Sequence, residues 1–401
     1  MEHRLHDLTP DEPIRLLTSR AMAAHLGRRA FLGGALLSAG GGLLAACGGS
    51  SSGGVSTSAS ATSTIGTGPV EGNLNIYTWS EYSNPDDLKS FTTDKGPKIK
   101  LDSYASNEEM IAKLVAAKGT SGYDIVVPTG EFIPQMAANG LLQELNHAAL
   151  PNMANVDPQF LDQPWDKGNK YSVVKDWGTT GFVYDKTKIK RELTNWADFL
   201  DAAQNEASGR TAVLDAPGDI TGIFFWANDI DWNTTKKDDL DAAEDYLVKK
   251  LAPHIKAFDS YPSTAMAQGE YTLAQAWNGD ARQGILNSKD PSIWQWVLGA
   301  PKTELWMDTW AIPVGAKNVN AAYAWINYVL DPKISLSELT YIGYNTGLKD
   351  IEATAKSQDV ELPDLIFFDS AQVSTMVPGE VTEAQQRIVD IWNKLKATAG
   401  K

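Results

Sequence analysis

The sequence NLNIYTWSEYSNPDDLKSFTTDKGPKIKLDSYASNEEMIAKLVAAKGTSGYDIVVPT, from Asn73 to Thr129, alternates short apolar segments with amphipathic ones. The patterns predict strands over 73–79, 98–105 and 123–129 and helices over 84–96 and 106–119. Asn84 and Ser106 are placed to cap the two helices, and Glu109 completes a capping box with Ser106. This β-α-β-α-β order predicts a parallel sheet with right-handed crossovers.

A similar alternation continues through the rest of the chain. Strands are expected within 209–217 and 272–280, and amphipathic helices over 320–330 and 382–397. A chain of 401 residues is long enough for two domains. We therefore expect an α/β protein with two lobes, mainly parallel sheets and a ligand cleft between the lobes.

The first 46 residues have the pattern of an export signal. Arg28 and Arg29 precede the apolar run 31–46, which has the length of a signal-peptide core and is short for a membrane span. The pair of arginines is similar to a twin-arginine signal, and LLAAC is similar to a bacterial lipobox that ends at Cys47. The alternative is a short buried helix with a chance cysteine. Residues 47–72 would then be a lipidated cysteine and a flexible linker rich in Gly, Ser and Thr.

The charge limits the classes of partner. The chain has a net charge of −15, and residues 47–401 alone hold 30 basic and 46 acidic side chains, a net −16. Such a surface is unsuited to nucleic acid and to anionic lipid, whereas it is compatible with a cationic ligand.

Carboxylates and aromatic residues recur where the predicted strands end. In an open α/β sheet this edge is where ligands bind. The stretch LWMDTWAIP, residues 305–313, places Asp308 in an apolar run between Trp306 and Trp310. An unpaired charge there is costly, so it calls for a cationic partner. Aromatic rings attract cations, and carboxylates add charge-assisted hydrogen bonds.

Sequence patterns for catalysis are few. Beyond residue 46 the histidines are His147 and His254, far apart along the chain, and no zinc-protease, CxxC or phosphate-loop motif is present. We therefore expect a protein that is not an enzyme and needs no cofactor or metal. A hydrolase that uses two cleft carboxylates stays possible, because such pairs have no fixed spacing.

Five motifs in order resemble those of the spermidine/putrescine-binding proteins of bacterial ABC transporters. They are YTWSEY (77–82), YDIVVPT (123–129), QGEYTLAQAWNGD (268–280), LWMDTWAIP (305–313) and YIGYNTG (341–347). The resemblance covers nearly all of the chain from Asn73 onward. It implies a periplasmic-binding-protein-like fold with the polyamine held between two α/β lobes.

The resemblance also implies ligand-binding residues. They are Trp79, Tyr82, Thr129, Glu131, Trp277, Asp280, Trp306, Asp308, Tyr344 and one acid of the segment 215–220, either Asp215 or Asp219. The family often has Tyr where this chain has Glu131, and it matches the segment 215–220 only with a shift of one residue. The choice between Asp215 and Asp219 is therefore open.

Together these features predict an extracytoplasmic, lipid-anchored monomer that captures putrescine or spermidine and delivers it to an ABC transporter permease. We expect 73–176 with 308–344 to form the first lobe and 177–307 with 345–401 the second. The alternatives are a receptor for another small cationic amine or an opine, and an envelope hydrolase.

The lipobox predicts the effect of one substitution. Cys47→Ala should abolish lipidation and move the protein from the membrane fraction to the soluble fraction. Fractionation after a salt wash measures this. Retention of the Cys47→Ala protein in the washed membranes would contradict the lipobox interpretation.

Overall fold

A computed structural model describes residues 66–399 of the chain. The predicted signal segment, Cys47 and most of the predicted linker lie outside these residues. Among residues 66–399, no helix combines the length and the apolar character that a membrane crossing needs.

Helices and strands alternate along the described chain. The strands are β1 (Asn73–Thr78), β2 (Lys98–Ser103), β3 (Ile125–Val126), β4 (Ser172–Asp185), β5 (Thr211–Val213), β6 (Ile255–Phe258), β7 (Leu273–Trp277), β8 (Trp294–Val297), β9 (Thr303–Ala311) and β10 (Met376–Pro378). The helices are α1 (Pro85–Lys95), α2 (Asn107–Ala117), α3 (Ile133–Ala138), α4 (Trp196–Gln204), α5 (Pro217–Ala227), α6 (Lys237–Tyr246), α7 (Ser263–Ala267), α8 (Asn278–Leu286), α9 (Val319–Val329), α10 (Pro332–Ile342), α11 (Ile351–Ser357), α12 (Ser370–Val373) and α13 (Gln385–Ala399).

The predicted helix starts are confirmed. The Asn84 side chain accepts a hydrogen bond from the Asp86 amide at 3.0 Å, and Ser106 Oγ accepts one from the Glu109 amide at 3.2 Å. The Glu109 carboxylate reaches back to the amide of Ala105 at 2.9 Å, one residue before the position that a capping box requires. Each cap satisfies an amide that the first helical turn leaves without a partner.

The sheet has two parallel groups of strands joined by two long strands. Its order is β2-β1-β3-β9-β4-β7-β5-β6, and β1 pairs in parallel with β2 and β3, as β5 does with β6 and β7. The predicted α/β architecture is confirmed, although the sheet is mixed. The joining strand β4 is antiparallel to β7, β8 and β9, and β9 is antiparallel to β3.

The pairing of β4 with β9 links the two groups. The register runs from Ser172 opposite Ala311 to Thr179 opposite Leu305, with an irregularity between Val174 and Asp176. Asp176 lies directly opposite Asp308. Two carboxylates facing each other across strands are destabilising unless other groups compensate them.

The buried apolar side chains form separate groups on the two sides of this junction. We call the part built around β1–β3 the first half and the part built around β5–β7 the second half. Leu348, Ile351 and Phe367 pack with the β1 core. We expected 345–401 in the second lobe, but these contacts place part of it with the first half. The exact lobe boundaries stay a prediction.

The N-terminal end of the described chain lies against α9 of the first half. The Gly66 amide donates to Asn320 Oδ1 at 3.0 Å, and Asn320 Nδ2 donates to the Pro69 carbonyl at 3.2 Å. Val70 packs against the same apolar core as β1. The segment is therefore fastened to the first half by both polar and apolar contacts.

Candidate functional site

A cavity of about 700 Å³ lies between the two halves and receives side chains from both. Trp79 and Tyr82 follow β1, Thr129 follows β3, and Trp277 ends β7. These positions are the carboxyl ends of parallel strands, where open α/β sheets place their ligands. The strand topology therefore explains why residues distant in sequence meet here.

Most of the residues predicted for the site line this cavity. They are Trp79, Tyr82, Thr129, Glu131, Asp219, Trp277, Asp280, Trp306, Asp308 and Tyr344. Asp215 is not among the lining residues, so the structure places Asp219 in the cavity instead. The Asp215 carboxylate accepts hydrogen bonds from Lys396 Nζ at 2.7 Å and Trp392 Nε1 at 2.9 Å, which hold it against α13.

Asp308 is a buried carboxylate held by two hydroxyl groups. Its Oδ1 accepts from Thr129 Oγ1 at 2.7 Å, and its Oδ2 lies 3.0 Å from the Tyr82 hydroxyl. Asn107 Nδ2 donates to Thr129 Oγ1 at 2.9 Å, so the Thr129 hydrogen is directed toward Asp308. Burial, with the negative charge of Asp176, raises the pKa of Asp308 to about 7.

The cation nearest to this group is already engaged by another acid. Lys175 Nζ forms an ion pair with Asp176 at 2.7 Å, and both side chains are almost fully buried. The same ammonium lies 3.5 Å from the centre of the Tyr82 ring, and the Tyr82 hydroxyl donates to Asp176. Lys175 therefore neutralises Asp176, and Asp308 has no ion pair of its own among the described residues.

Aromatic rings form much of the cavity wall. The ring centres of Trp306 and Tyr344 are 4.9 Å apart, and those of Trp79 and Trp277 are 6.1 Å apart, both in edge-to-face geometry. The second pair joins the first half to the second. Trp310 does not line the cavity, since it packs against Trp325 in the core. Only one of the two tryptophans that flank Asp308 in sequence therefore faces the cavity.

A further acid, Asp280, lies in the first turn of α8. The Tyr344 hydroxyl donates to Asp280 Oδ2 at 2.6 Å. Burial raises the pKa of Asp280 to about 7 despite this hydrogen bond, and the charge of Glu81 adds to the shift. Glu81 also lines the cavity.

Two buried acids, Asp219 and Glu304, lie toward the second half. Glu304 is not among the residues predicted for the site. Thr180 Oγ1 is 2.7 Å from Asp219 Oδ1 and 2.5 Å from Glu304 Oε2. Trp277 Nε1 donates to Asp219 Oδ1 at 3.1 Å. Glu304 was not predicted, although the period of two along β9 puts it on the same face as Trp306 and Asp308. That alternation is the signal that could have identified it.

Two more acids complete this wall. Burial, followed by the charges of Asp219, Glu108 and Asp308, raises the pKa of Glu131 to about 8. Glu108 Oε1 accepts from Gln385 Nε2 at 2.8 Å, which connects α2 of the first half to the start of α13. Gly379 lies against the Glu131 carboxylate, where a Cβ would come within 3.0 Å of its oxygens.

The cavity has a large excess of negative groups. Among its described lining residues eight are acidic, namely Glu81, Glu108, Glu131, Asp219, Asp280, Glu304, Asp308 and Glu380, and one, Lys289, is basic. Within residues 66–399, no three His, Cys, Asp or Glu side chains are grouped so that they could hold a metal ion. With rings beside the acids, the arrangement suits a ligand that has several ammonium groups and an apolar chain.

Comparison with known sequences relates this chain to characterised proteins. Residues 88–364 match the family model described as bacterial extracellular solute-binding protein. The chain is 32% identical over 335 residues to spermidine/putrescine-binding periplasmic protein 1 of Haemophilus influenzae, covering 82% of this chain and 91% of that protein. It is 33% identical over 278 residues to the spermidine/putrescine-binding periplasmic protein of Escherichia coli, covering 68% and 77% of the two chains.

A solved structure has the same fold. The spermidine/putrescine ABC transporter substrate-binding protein PotD from Streptococcus pneumoniae superposes with a TM-score of 0.67 at 26% identity. The match covers 82% of this chain and 100% of that one. The two-lobe fold expected from the sequence is thereby confirmed.

The crowded acids predict how the stability of the ligand-free protein varies with pH. Asp308, Asp280 and Glu131 hold protons in the folded state up to about pH 7–8, whereas in the unfolded state they release them at their ordinary values near 4. The folded state binds more protons across this window, so stability is greatest below it and is lost as the pH rises.

We therefore expect ligand-free protein, prepared by exhaustive dialysis, to melt at a lower temperature at pH 8 than at pH 5. Calorimetry at the two pH values measures the difference. Asp280→Asn should reduce it, because one shifted group is removed. A melting temperature that rises from pH 5 to pH 8 would contradict the expectation.

Proposed function

Since the chain belongs to the family of bacterial extracellular solute-binding proteins, we propose that it captures a polyamine, such as putrescine or spermidine, for an ABC transporter permease. The observation that carries this proposal is the ratio of eight acidic to one basic lining residue in a cavity walled by tryptophan and tyrosine. Each ammonium of a polyamine meets carboxylates, and its methylene groups meet rings.

Asp308 is the acid best placed to hold an ammonium. It is buried, it is oriented by Thr129 and Tyr82, and the neighbouring cation is paired with Asp176. A ligand ammonium would supply the missing positive charge, and Trp306 would contact it or the adjoining methylenes. The names of the relatives from Haemophilus influenzae and Escherichia coli support a polyamine as the solute.

The remaining parts of the proposal concern delivery. The predicted signal and Cys47 would place the protein outside the cytoplasm on a lipid anchor, as a monomer that presents its ligand to a permease. The relatives are described as periplasmic binding proteins, which supports an extracytoplasmic site of action. Energy for transport would come from separate ATP-hydrolysing subunits.

The alternative ligands fit the charge less well. An opine carries carboxylates, which would meet like charges on nearly every wall of the cavity, and repulsion of this kind excludes competitors effectively. A quaternary amine has no hydrogen to donate to the buried acids. Hydrolysis by two cleft carboxylates is a weaker proposal, because the family is one of binding proteins. Recovery of chemically unchanged ligand after incubation would oppose it.

Asp308→Asn tests the central contact, because it keeps the shape of the side chain and removes its charge. Loss of a counter-charge in a buried site should cost about 2–5 kcal/mol of binding, or roughly thirtyfold or more in affinity for spermidine or putrescine. Isothermal calorimetry measures the affinity. The ligand-free melting temperature should stay constant or rise, because Asp308 faces Asp176 across the strands.

Asp215→Asn is the matched control, since Asp215 pairs with Lys396 outside the cavity. It should leave polyamine affinity unchanged. Equal affinities of Asp308→Asn and the unaltered protein for both polyamines would refute the assignment of Asp308.

Acids on several walls also predict selectivity by the number of ammonium groups. Asp308, Asp280 and Asp219 lie on β9, α8 and α5, so a ligand with two charged ends can engage more than one of them. Putrescine should therefore bind much more tightly than butylamine, which has the same number of carbons and one amine. Similar dissociation constants for the two would exclude a grip at both ends.

A further inference from the structure

The hydroxyl of Thr180 lies between two carboxyl groups and cannot donate to both. Its oxygen is 2.7 Å from Asp219 Oδ1 and 2.5 Å from Glu304 Oε2, and both distances are those of hydrogen bonds. A hydroxyl has one hydrogen. Two ionised carboxylates would leave one of these contacts without a hydrogen, so the arrangement requires one proton on a carboxyl group.

The neighbouring donors indicate which acid is protonated. Asp219 Oδ1 also accepts from Trp277 Nε1 at 3.1 Å, so it is the oxygen toward which donors point. This identifies Asp219 as the carboxylate and Glu304 as the acid that donates to Thr180. Burial, together with the charge of Asp219, raises the pKa of Glu304 well above its ordinary value, in agreement with this direction.

The surroundings of the pair supply further negative charge. The negative charge of Glu131, which follows β3, contributes to the raised pKa of Glu304. The charge of Asp219 likewise contributes to the raised pKa of Glu108, in the first turn of α2. Glu380, after β10, is another acid of the cavity wall, whereas α13 contributes the neutral Gln385 and β4 the neutral Thr180. No lysine or arginine among the described residues forms an ion pair with Glu304 or Asp219 within 4.0 Å; the pairs of the nearby α13 involve Asp215, Asp241 and Glu244.

We propose that Glu304 and Asp219 share one proton in the ligand-free cavity and exchange it for an ammonium group of the ligand. The O–H bond of Glu304 breaks, the proton passes to solvent, and the two carboxylates then face the ammonium. This inference rests on the proposed function and adds to it a second cation-binding end and a coupling of binding to pH.

The exchange follows from charge balance. With one proton the pair carries one negative charge instead of two, which removes the repulsion between two ionised acids buried beside Glu131. An ammonium in the cavity supplies positive charge and hydrogen-bond donors to both acids, and so it replaces the proton in both of its roles. Binding should therefore strengthen as the pH rises through the range in which Glu304 is protonated.

The test is the number of protons released when spermidine binds to the full chain. Calorimetry at one pH in several buffers with different ionisation enthalpies gives this number from the slope of the observed enthalpy. We expect net release at pH 6.5 and 7.5. Glu304→Gln, which cannot lose a proton, should lower the release by up to one proton per ligand, while the contributions of Asp308, Asp280 and Glu131 remain.

Two variants make the result specific. Glu352→Gln, on the exposed surface of α11, is the matched control and should leave the number of protons unchanged. Asp219→Asn removes the charge that holds the proton on Glu304 and should also lower the release, so it serves as the test if Glu304→Gln does not fold. Binding with the same proton release in both cavity variants as in the unaltered protein would overturn this inference and leave the proposed function intact. Absence of any polyamine binding by the unaltered protein would overturn both.

Discussion

The antiparallel pairing of β4 with β9 is the constraint on which the rest of the molecule depends. These strands join the two parallel groups, and their register sets Asp176 against Asp308 in the buried centre. Three side chains make this juxtaposition tolerable: Lys175 pairs with Asp176, Tyr82 donates to Asp176, and Thr129 donates to Asp308. The cavity forms where the strands that flank this junction end, so the fold and the binding site have a common origin.

Electrostatics and packing oppose each other in the ligand-free protein. Burial and mutual repulsion disfavour the ionised acids, while the rings keep water away from them. Hydroxyl groups between carboxyls occur twice, with Tyr82 between Asp176 and Asp308 and Thr180 between Asp219 and Glu304. A lysine relieves the first pair and, in our proposal, a proton relieves the second. A site whose buried charges are unfavourable without ligand is expected where binding is the function.

Local patterns in the sequence predicted much of the fold and part of the site. Periodicity and caps located α1 and α2, the charge within an apolar run located Asp308, and a strand end located Asp280. The partnership of Lys175 with Asp176 was not predictable, because it depends on the register of β4 against β9. Asp215 and Asp219 could not be separated either, since the deciding contact is with Lys396 at the far end of the chain. Glu304 has a local signal in the alternation of β9, which puts it on the same face as Trp306 and Asp308.

The attachment of residues 66–70 to α9 has a mechanical consequence. Gly66, Pro69 and Val70 contact only elements of the first half in the interactions described above. A tether at Cys47 would therefore connect the membrane to the first half, and the second half would be linked to the membrane only through the first. Any movement of the second half relative to the first would then be a movement relative to the tethered part of the protein.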